Sequence, residues 1–571
     1  MHEQPHNIAP GIDRPVTVPA RSSDAPSDAV AERLARLAAD QRAAATAPPG
    51  PVLCVAPAGS GKTTTLVARV AWLVDSGEDP ATVCVVAFNK RAAEELTARL
   101  DAALAPLGLP VGSVRVRTFH ALGREMLAGA GVSVEPLVDR DMLLRELFPV
   151  AGAADRGRLD LAFSRLKLDL RVTADDVARD PAPGPVASAF VAYERSIAEL
   201  GGVDFDDLVV RSLAMLQADP RRLAAWRRRC TNLLVDEAQD LDRTQLELAL
   251  LLAEPANNVF LVGDDDQSIY GWRLADVRRV LGLAGSLPGL RRVDLETNYR
   301  CPRPVVERAV RLVEHNRERF VKRILSGPAA AGRLVLAPDS SDDLVRVTRA
   351  MRSWPADDTT RAVLARTNRE LLVAMIAAVE LGLPFRAPDL ALPIEDERID
   401  GLLERASGPA LLALGALRRE LHAEALAVAA DAPPPDSADG PTPADLVTAM
   451  LGWAAVRPSI ADLRVAIDDR RRDLARLRRD DASLTLATAH GTKGLEWDHV
   501  LVLADGFPGR RSISDATEPE RALEEERRLA YVAWTRARRS LTLLYDPQAP
   551  SRFLLEAFSP AELGLSVADA A

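Results

Sequence analysis

Residues Ala56, Pro57, Ala58, Gly59, Ser60, Gly61, Lys62 and Thr63 have the types and spacing of a phosphate cradle. At the start of a helix, the backbone N–H groups from Gly59 to Thr63 would face β- and γ-phosphates where the helix dipole is positive. Lys62 would reach the same oxygens, and the Thr63 hydroxyl would ligate Mg²⁺. A pattern this short also arises where glycines serve chain geometry alone. Lysine usage favours the chemical reading: among 72 Lys plus Arg there are five lysines, Lys62, Lys90, Lys167, Lys322 and Lys493. A compact ammonium suits a narrow phosphate loop better than a planar guanidinium. The entry to the loop departs from the usual form, with Ala56 in place of glycine and Pro57 after it.

Two further stretches bear on the same chemistry. Residues 233–240 place Asp236 and Glu237 at the end of an apolar run, the position of a ligand site in an open α/β sheet. Surface capping explains such a pair when it stands alone. Beside a phosphate loop, Asp236 would hold Mg²⁺ and Glu237 would activate a water. Residues 263–273 follow the next apolar run and combine Gln267, a γ-phosphate sensor candidate, with Tyr270 and Trp272. Aromatic residues make up 4% of the chain, so a tryptophan among polar loop residues suits a stacking platform for a base. Helix packing is its alternative role.

The elements needed to position these residues are legible. Short runs at 52–55, 83–88, 114–118, 233–235 and 259–262, apolar on both faces and separated by helical stretches, predict a doubly covered parallel sheet. A second set at 334–337, 362–365, 484–487, 500–503 and 541–544 predicts another. Helical inserts fall at about 125–203 and 388–481. A helical pattern from Asp28 through Leu34, Leu37 and Gln41 precedes the first strand. Residues 1–26 have no apolar period and are expected to be disordered. The Pro-rich stretch 432–443 is expected to be a loop, leaving two helices in the second insert, too few for a core of its own. Arg470, Arg471, Arg472, Arg476, Arg478 and Arg479 fit a solvated helix face more economically than a nucleic-acid contact.

At 571 residues with 47% hydrophobic and 27% charged content, the chain reads as a soluble protein of two to four domains. No apolar run approaches bilayer length and the N-terminus has no secretory pattern, so neither membrane insertion nor export is expected. Cys54, Cys84, Cys230 and Cys301 form no CxxC pair and are expected to be buried, reduced thiols of a cytoplasmic protein. A formal charge of −10 confines nucleic-acid binding to a local groove.

In chain order, the blocks resemble the motifs of superfamily 1 DNA helicases of the UvrD, Rep and PcrA type. Gln41 matches the adenine-reading glutamine, 56–63 motif I, 87–93 motif Ia, 118–121 motif Ib and 236–240 motif II. Residues 263–273 match motif III, 295–300 motif IV, 488–497 motif V and 525–537 motif VI. The resemblance implies an α/β fold of two RecA-like P-loop NTPase domains, each with a helical insertion. The first is 27–124 with 204–299, interrupted by 125–203. The second is 300–387 with 482–560, interrupted by a reduced accessory insertion at 388–481.

It further implies that Tyr299 stacks on adenine, with Gln41 and loop residues 56–64, Thr64 included, around the nucleotide. Arg300 and Arg536 would contact the γ-phosphate and Glu496 the ribose. Phe88, His120, Tyr270, Trp272, Arg366, Asn368 and His490 would line a single-strand groove. The implied ligands are ATP, Mg²⁺, single-stranded DNA and DNA junctions, and the implied activity is 3′ to 5′ translocation and unwinding in repair, replication or recombination. A nucleotide-gated clamp that binds DNA without processive motion is the alternative. Thr64, Leu274 and Trp497 depart from the family's usual residues, and the last two are expected to alter the groove. The short accessory insertion implies a motor that needs a protein partner or oligomerisation to unwind.

Overall fold

The computed structural model describes residues 26–180, 184–328, 331–388, 390, 392–428, 443–455, 457–509, 513 and 518–565. Strands β1 (Val52–Val55), β2 (Val83–Ala87), β3 (Arg115–Thr118), β4 (Asn232–Val235), β5 (Val259–Gly263) and β6 (Arg291–Asp294) form one sheet. Its order is β3-β2-β4-β5-β1-β6, every neighbour parallel. A short parallel pair, β7 (Thr297–Asn298) and β8 (Leu325–Ser326), leads to the second sheet. That sheet contains β9 (Arg333–Pro338), β10 (Arg361–Ala365), β11 (Phe385–Arg386), β12 (Leu484–Thr488), β13 (Trp497–Leu503) and β14 (Ala537–Tyr545). It runs β11-β12-β10-β13-β14-β9 and is also wholly parallel. All ten anticipated strands are present, and two RecA-like sheets result.

Strand residues alternate between two cores. Cys54, Val83 and Val85 enter one face of the first sheet, while Leu53, Val55, Cys84 and Val86 enter the other. Ala362 and Leu364 face one side of the second sheet, Val363 and Ala365 the other. Burial on both faces explains why these strands read as apolar runs without polar alternation. The cysteines are buried and free. No helix among the described residues is long and apolar enough to cross a membrane.

Three local expectations change. The N-terminal pattern is two helices, Asp28–Ala35 and Ala39–Ala45, broken where Ala38 is extended. Arg42 closes the break, its Nε donating to Leu34 O at 3.0 Å and its Nη2 to Leu37 O at 3.2 Å. Among its described residues the second insertion holds four α-helices, Arg398–Arg405, Ala410–Val428, Pro443–Ala454 and Ile460–Leu477, not two. Ile399, Leu402, Leu414, Leu446, Met450 and Leu463 give it the core that its length seemed too short to supply. Pro443 is the first residue of its helix, where proline needs no donor, and so falls outside the anticipated loop. Residues 1–25 and the rest of that loop, 432–442, lie outside the described residues. Among the arginines at 470–479, Arg471 and Arg478 are partly buried. They donate to Ile394 O and to Ala387 O and Leu390 O, and pair with Asp400 and Glu395.

Candidate functional site at the seam between the sheets

The order β4-β5-β1 sets the loops after three adjacent strands side by side. After β1, Gly59 (φ 68°) and Gly61 (φ 86°) take left-handed conformations before the helix Lys62–Asp75 begins. A Cβ on Gly59 would lie 2.7 Å from Asn298 Oδ1 and from Arg300 Cβ, and one on Gly61 would lie 2.6 Å from Gln41 Nε2. Only glycine fits either place. Gln41 spans two segments, accepting from Ala38 N at 3.1 Å and donating to Ser60 O at 2.8 Å. Tyr299 N donates to Gly59 O at 2.9 Å, and the Tyr299 side chain stands half exposed beside the loop. Ala56 N donates to Gly263 O and Ser60 N to Pro57 O, while Ala58 N reaches Tyr531 Oη at 3.4 Å. Ser60 Oγ is buried without a hydrogen-bond partner. Thr63 is partly buried and Thr64 exposed. An orphaned hydroxyl in a backbone cradle that excludes Cβ atoms fits a phosphate group.

After β4, Glu237 turns the chain with φ 52°. Its carboxylate lies 3.5 Å from Lys62 Nζ and 3.8 Å from Lys493 Nζ and accepts from Gln239 Nε2 at 2.6 Å. Burial pushes Glu237 up, but Lys62 and Lys493 outweigh it and hold the group down at about 2. Asp236 accepts from Glu237 N at 3.0 Å; burial and the neighbouring Glu237 carboxylate raise it to about 7. Burial also raises Asp240 to about 7. After β5, Gln267 Nε2 donates to Asp264 Oδ2 at 2.6 Å. Among the described residues no three His, Cys, Asp or Glu cluster as metal ligands. Thr63 and Asp236 suit Mg²⁺, which usually takes one or two protein ligands with phosphate and water completing its shell.

The second sheet supplies the other wall. Arg536 is 1% exposed and donates from Nη2 to Gln267 Oε1 at 3.0 Å and from Nε to Val532 O at 2.8 Å. Burial, and then Arg300, lower it to about 10, so it stays charged at neutral pH. Arg300 pairs with Glu496 and donates to Thr535 O at 3.3 Å; Glu496 also holds Arg538. Lys493 crosses the seam, pairing with Asp240 and donating to Gln267 O at 3.0 Å. Sequence reasoning noted Lys493 as a rare lysine inside motif V and gave it no task. Its rarity was the available signal.

The aromatics fall into two groups. Phe88 stacks on Tyr270 with centroids 5.0 Å apart, and Tyr270 meets Trp272 at 6.1 Å. Trp272 is 50% exposed, so it is not a core residue. Lys493 Nζ lies 5.3 Å from the Tyr270 ring centre and 5.8 Å from that of Phe88, linking this group to the acidic cluster. His120 sits apart, 5.2 Å from exposed Phe205, which the sequence reading missed. On the second sheet Arg366 forms a bidentate pair with Glu526. Burial and Arg366 lower neighbouring His490 to about 4, against the pull of Glu526. Asn368 begins the helix Asn368–Glu380. Trp497 alters no groove: it is buried, its Nε1 donating to Thr485 Oγ1 at 3.1 Å, because it starts β13 with its side chain turned inward. Leu274 has φ 66°, in the left-handed region.

Comparison with known proteins converges on one family. A family model for the UvrD/REP helicase N-terminal domain matches residues 37–288, and one for the UvrD-like helicase C-terminal domain matches 468–548. The chain is 31% identical to ATP-dependent DNA helicase UvrD2 of Mycobacterium tuberculosis, over 91% of this chain and 81% of that protein. It is 26% identical to DNA helicase II of Escherichia coli, over 90% of this chain and 86% of the relative. ATP-dependent DNA helicase PcrA of Staphylococcus epidermidis is 28% identical over 59% of this chain and 48% of its own length.

Proposed function

The chain belongs to the UvrD-like helicase family, and on that premise we propose an ATP-driven DNA helicase that moves 3′ to 5′ on single-stranded DNA. The observation that carries the reading is the seam, where Arg536 and Lys493 from the second sheet reach Gln267 and Asp240 on the first. A site assembled from two bodies is completed when they close and dismantled when they part, which is how a nucleotide cycle becomes movement.

In this mechanism the loop 56–63 and Lys62 hold the phosphates, while Gln41 and Tyr299 place the base. Thr63 and Asp236 would hold Mg²⁺, which when bound offsets phosphate charge. Glu237, kept ionised by Lys62 and Lys493, accepts a proton from the attacking water. Gln267 orients that water, and Arg300 and Arg536 meet charge developing on the transferred group. Phe88, Tyr270, Trp272, His120 and Phe205 grip bases by stacking, which tolerates any sequence. Arg366, Asn368 and His490 form the second-sheet side of the groove. DNA junctions are the proposed loading sites, and dependence on a protein partner or oligomer for unwinding now rests on the insertion's short length alone, since it has an apolar core of its own.

The test follows ATP turnover against single-strand length, with displacement of a protein block from either DNA end. Stimulation that grows with length and displacement from the 5′ end support the reading. Stimulation independent of length indicates a clamp, and faster displacement from the 3′ end reverses the direction. Single-turnover unwinding of a tailed duplex by a demonstrated monomer would remove the need for a partner.

A further inference from the structure

The stacking loop must be held for Tyr270 and Trp272 to act as a platform. Among the described residues four non-glycine positions have positive φ: Arg171 (56°), Glu237 (52°), Asn257 (52°) and Leu274 (66°). Three belong to one connected set of contacts. Leu274 ends the turn Gly271–Arg273 that displays Trp272. Glu237 opens the turn after β4, and Arg171 closes a π-helical turn, Arg165–Leu170, in the first insertion. A leucine persists in the left-handed region only where its surroundings impose it.

Arg279, on the helix Val277–Leu281, reaches all three segments. Its Nη1 donates to Leu274 O and, at 3.3 Å, to Leu241 O, just beyond the motif II acids. Its Nη2 donates to Asp169 Oδ1 at 2.6 Å. The insertion's turn is itself fastened to the first domain. Thr244 Oγ1 donates to Leu168 O at 2.6 Å, Arg243 Nη1 to Asp169 O at 3.0 Å, and Arg171 pairs with Glu247. On the other side of the stacking loop Gly271 N donates to Glu525 of the second domain at 2.9 Å. A guanidinium offers five donors in a rigid fork and can hold three acceptors on separate segments in a fixed geometry, which an ammonium's freely rotating donors do not impose.

We propose that Arg279 is a positioning residue for the single-strand groove. It locks Leu274 in its left-handed turn, and so fixes the Tyr270 and Trp272 platform to the end of motif II and to the first insertion. The proposal rests on the groove reading above and adds the element that sets its geometry.

The test measures single-strand affinity by fluorescence anisotropy, and the DNA concentration that half-saturates ATP turnover, on the full chain. Arg279→Ala is expected to weaken both by about tenfold, at the low end of what losing a stacked base costs. Arg279→Lys is expected to behave alike, since charge alone does not bridge the acceptors. Adding Leu274→Gly to Arg279→Ala removes the need to force a side-chain-bearing residue into positive φ, and is expected to restore affinity to within about threefold of wild type. That rescue is the readout a merely structural arginine would not give. Wild-type binding by Arg279→Ala or Arg279→Lys, or no rescue by Leu274→Gly, overturns the proposal. If Arg279→Ala does not fold, Asp169→Asn loosens the same hold and must weaken binding by about threefold; unchanged binding overturns the proposal equally. Trp272→Ala run in parallel separates the two readings. If it leaves affinity intact the groove reading fails, whereas if it weakens binding and Arg279→Ala does not, only the role of Arg279 fails.

Discussion

Replacing Lys493 with Met should penalise the closed seam by an amount that grows with pH. The Asp240 carboxylate is fully buried; its Oδ1 has no partner, and its Oδ2 receives Lys493 Nζ and Gln239 Nε2. Without Lys493, closure must either bury an unpaired carboxylate, at about 3–5 kcal/mol, or protonate it. Protonation costs about 1.36 kcal/mol for each pH unit above the solvated aspartate value near 4. Burial already lifts Asp240 to about 7 against the attraction of Lys493, so protonation is the cheaper route in the variant. For an acid whose value is raised in the closed state, closure is favoured at low pH and loses free energy as pH climbs from about 4 through the raised value. In wild type, with the value at about 7, closure costs about 3 kcal/mol at pH 6 and about 4 kcal/mol at pH 8, whereas without Lys493 the costs are about 3 kcal/mol and about 5 kcal/mol. The extra penalty of the variant is therefore near zero at pH 6 and about 1 kcal/mol at pH 8, about fivefold in closed population.

The assay is kcat/KM for ATP at saturating single-stranded DNA, measured at pH 6, 7 and 8. Wild type, Lys493→Met and Lys493→Met with Asp240→Asn are compared. The ratio of wild type to single variant should grow by about fivefold across this range, while the double variant, which has lost the Asp240 carboxyl, should show a much flatter ratio. Glu237 loses one cation in both variants but keeps Lys62 at 3.5 Å, so it does not generate the difference. A ratio constant with pH, or a double variant as pH-sensitive as the single one, refutes the reasoning.

Arg536→Ala should cut ATP turnover by about 10³-fold or more with KM for ATP nearly unchanged, whereas Lys62→Ala should weaken nucleotide binding too; wild-type turnover in Arg536→Ala would dismiss the two-sheet site. Trp272→Ala should cost about 1–3 kcal/mol of single-strand affinity with little sequence dependence. Because the Trp272 ring is half exposed, the melting temperature should hardly move, and early melting with normal binding would mark it as a packing residue. His490, lowered to about 4 by burial and by Arg366, stays neutral in the fold while an unfolded chain would protonate it near 6.5. Stability should therefore fall between pH 6.5 and 4 by at most about 3 kcal/mol, and His490→Gln should flatten that slope in urea melts, where an unchanged slope removes His490 from the account.

The strands were legible because burial on both faces turns them into short apolar runs, and the phosphate loop because its glycines and lysine are few and closely spaced. The edge strand β6, Arg291–Asp294, was not, since its Arg-Arg-Val-Asp sequence carries neither an apolar run nor a clean alternation. The two tryptophans show where local reading ends. Trp272 follows Gly271 in a tight turn and stays exposed, while Trp497 enters a strand and is buried, so scarcity among polar neighbours did not separate their roles. Phe205 and Arg279 were invisible for another reason. Phe205 meets His120 across 85 positions and Arg279 meets Asp169 across 110, and no local pattern announces contacts at such separations.

The distribution of the two basic side chains follows from the same geometry. Four of the five lysines end in acidic pits: Lys62 beside Glu237, Lys493 on Asp240, Lys167 among Glu194, Asp204 and Asp207, and Lys322 among Asp264, Asp265 and Asp266. Lys62 meets Glu237 alone, but at the other three two or three carboxylates converge on one point, and a compact ammonium with freely rotating donors satisfies them without a flat group to accommodate. Lys90, the fifth, is 91% exposed and makes only a helical pair with Glu94. The arginines that matter do the reverse. Arg536 joins Gln267 to Val532 and Leu495, Arg300 joins Glu496 to Thr535, and Arg279 joins Asp169 to Leu241 and Leu274. Their acceptors lie on different segments, so the rigid fork fixes segments relative to one another, a task that Lys493 shares by joining Asp240 to Gln267 O. Arg140, which donates to Asp160, Asp204 and Asp206 and shares Asp204 with Lys167, shows that the fork also enters an acidic cluster where its acceptors come from separate elements, so a lysine marks convergence on one point rather than acidity alone.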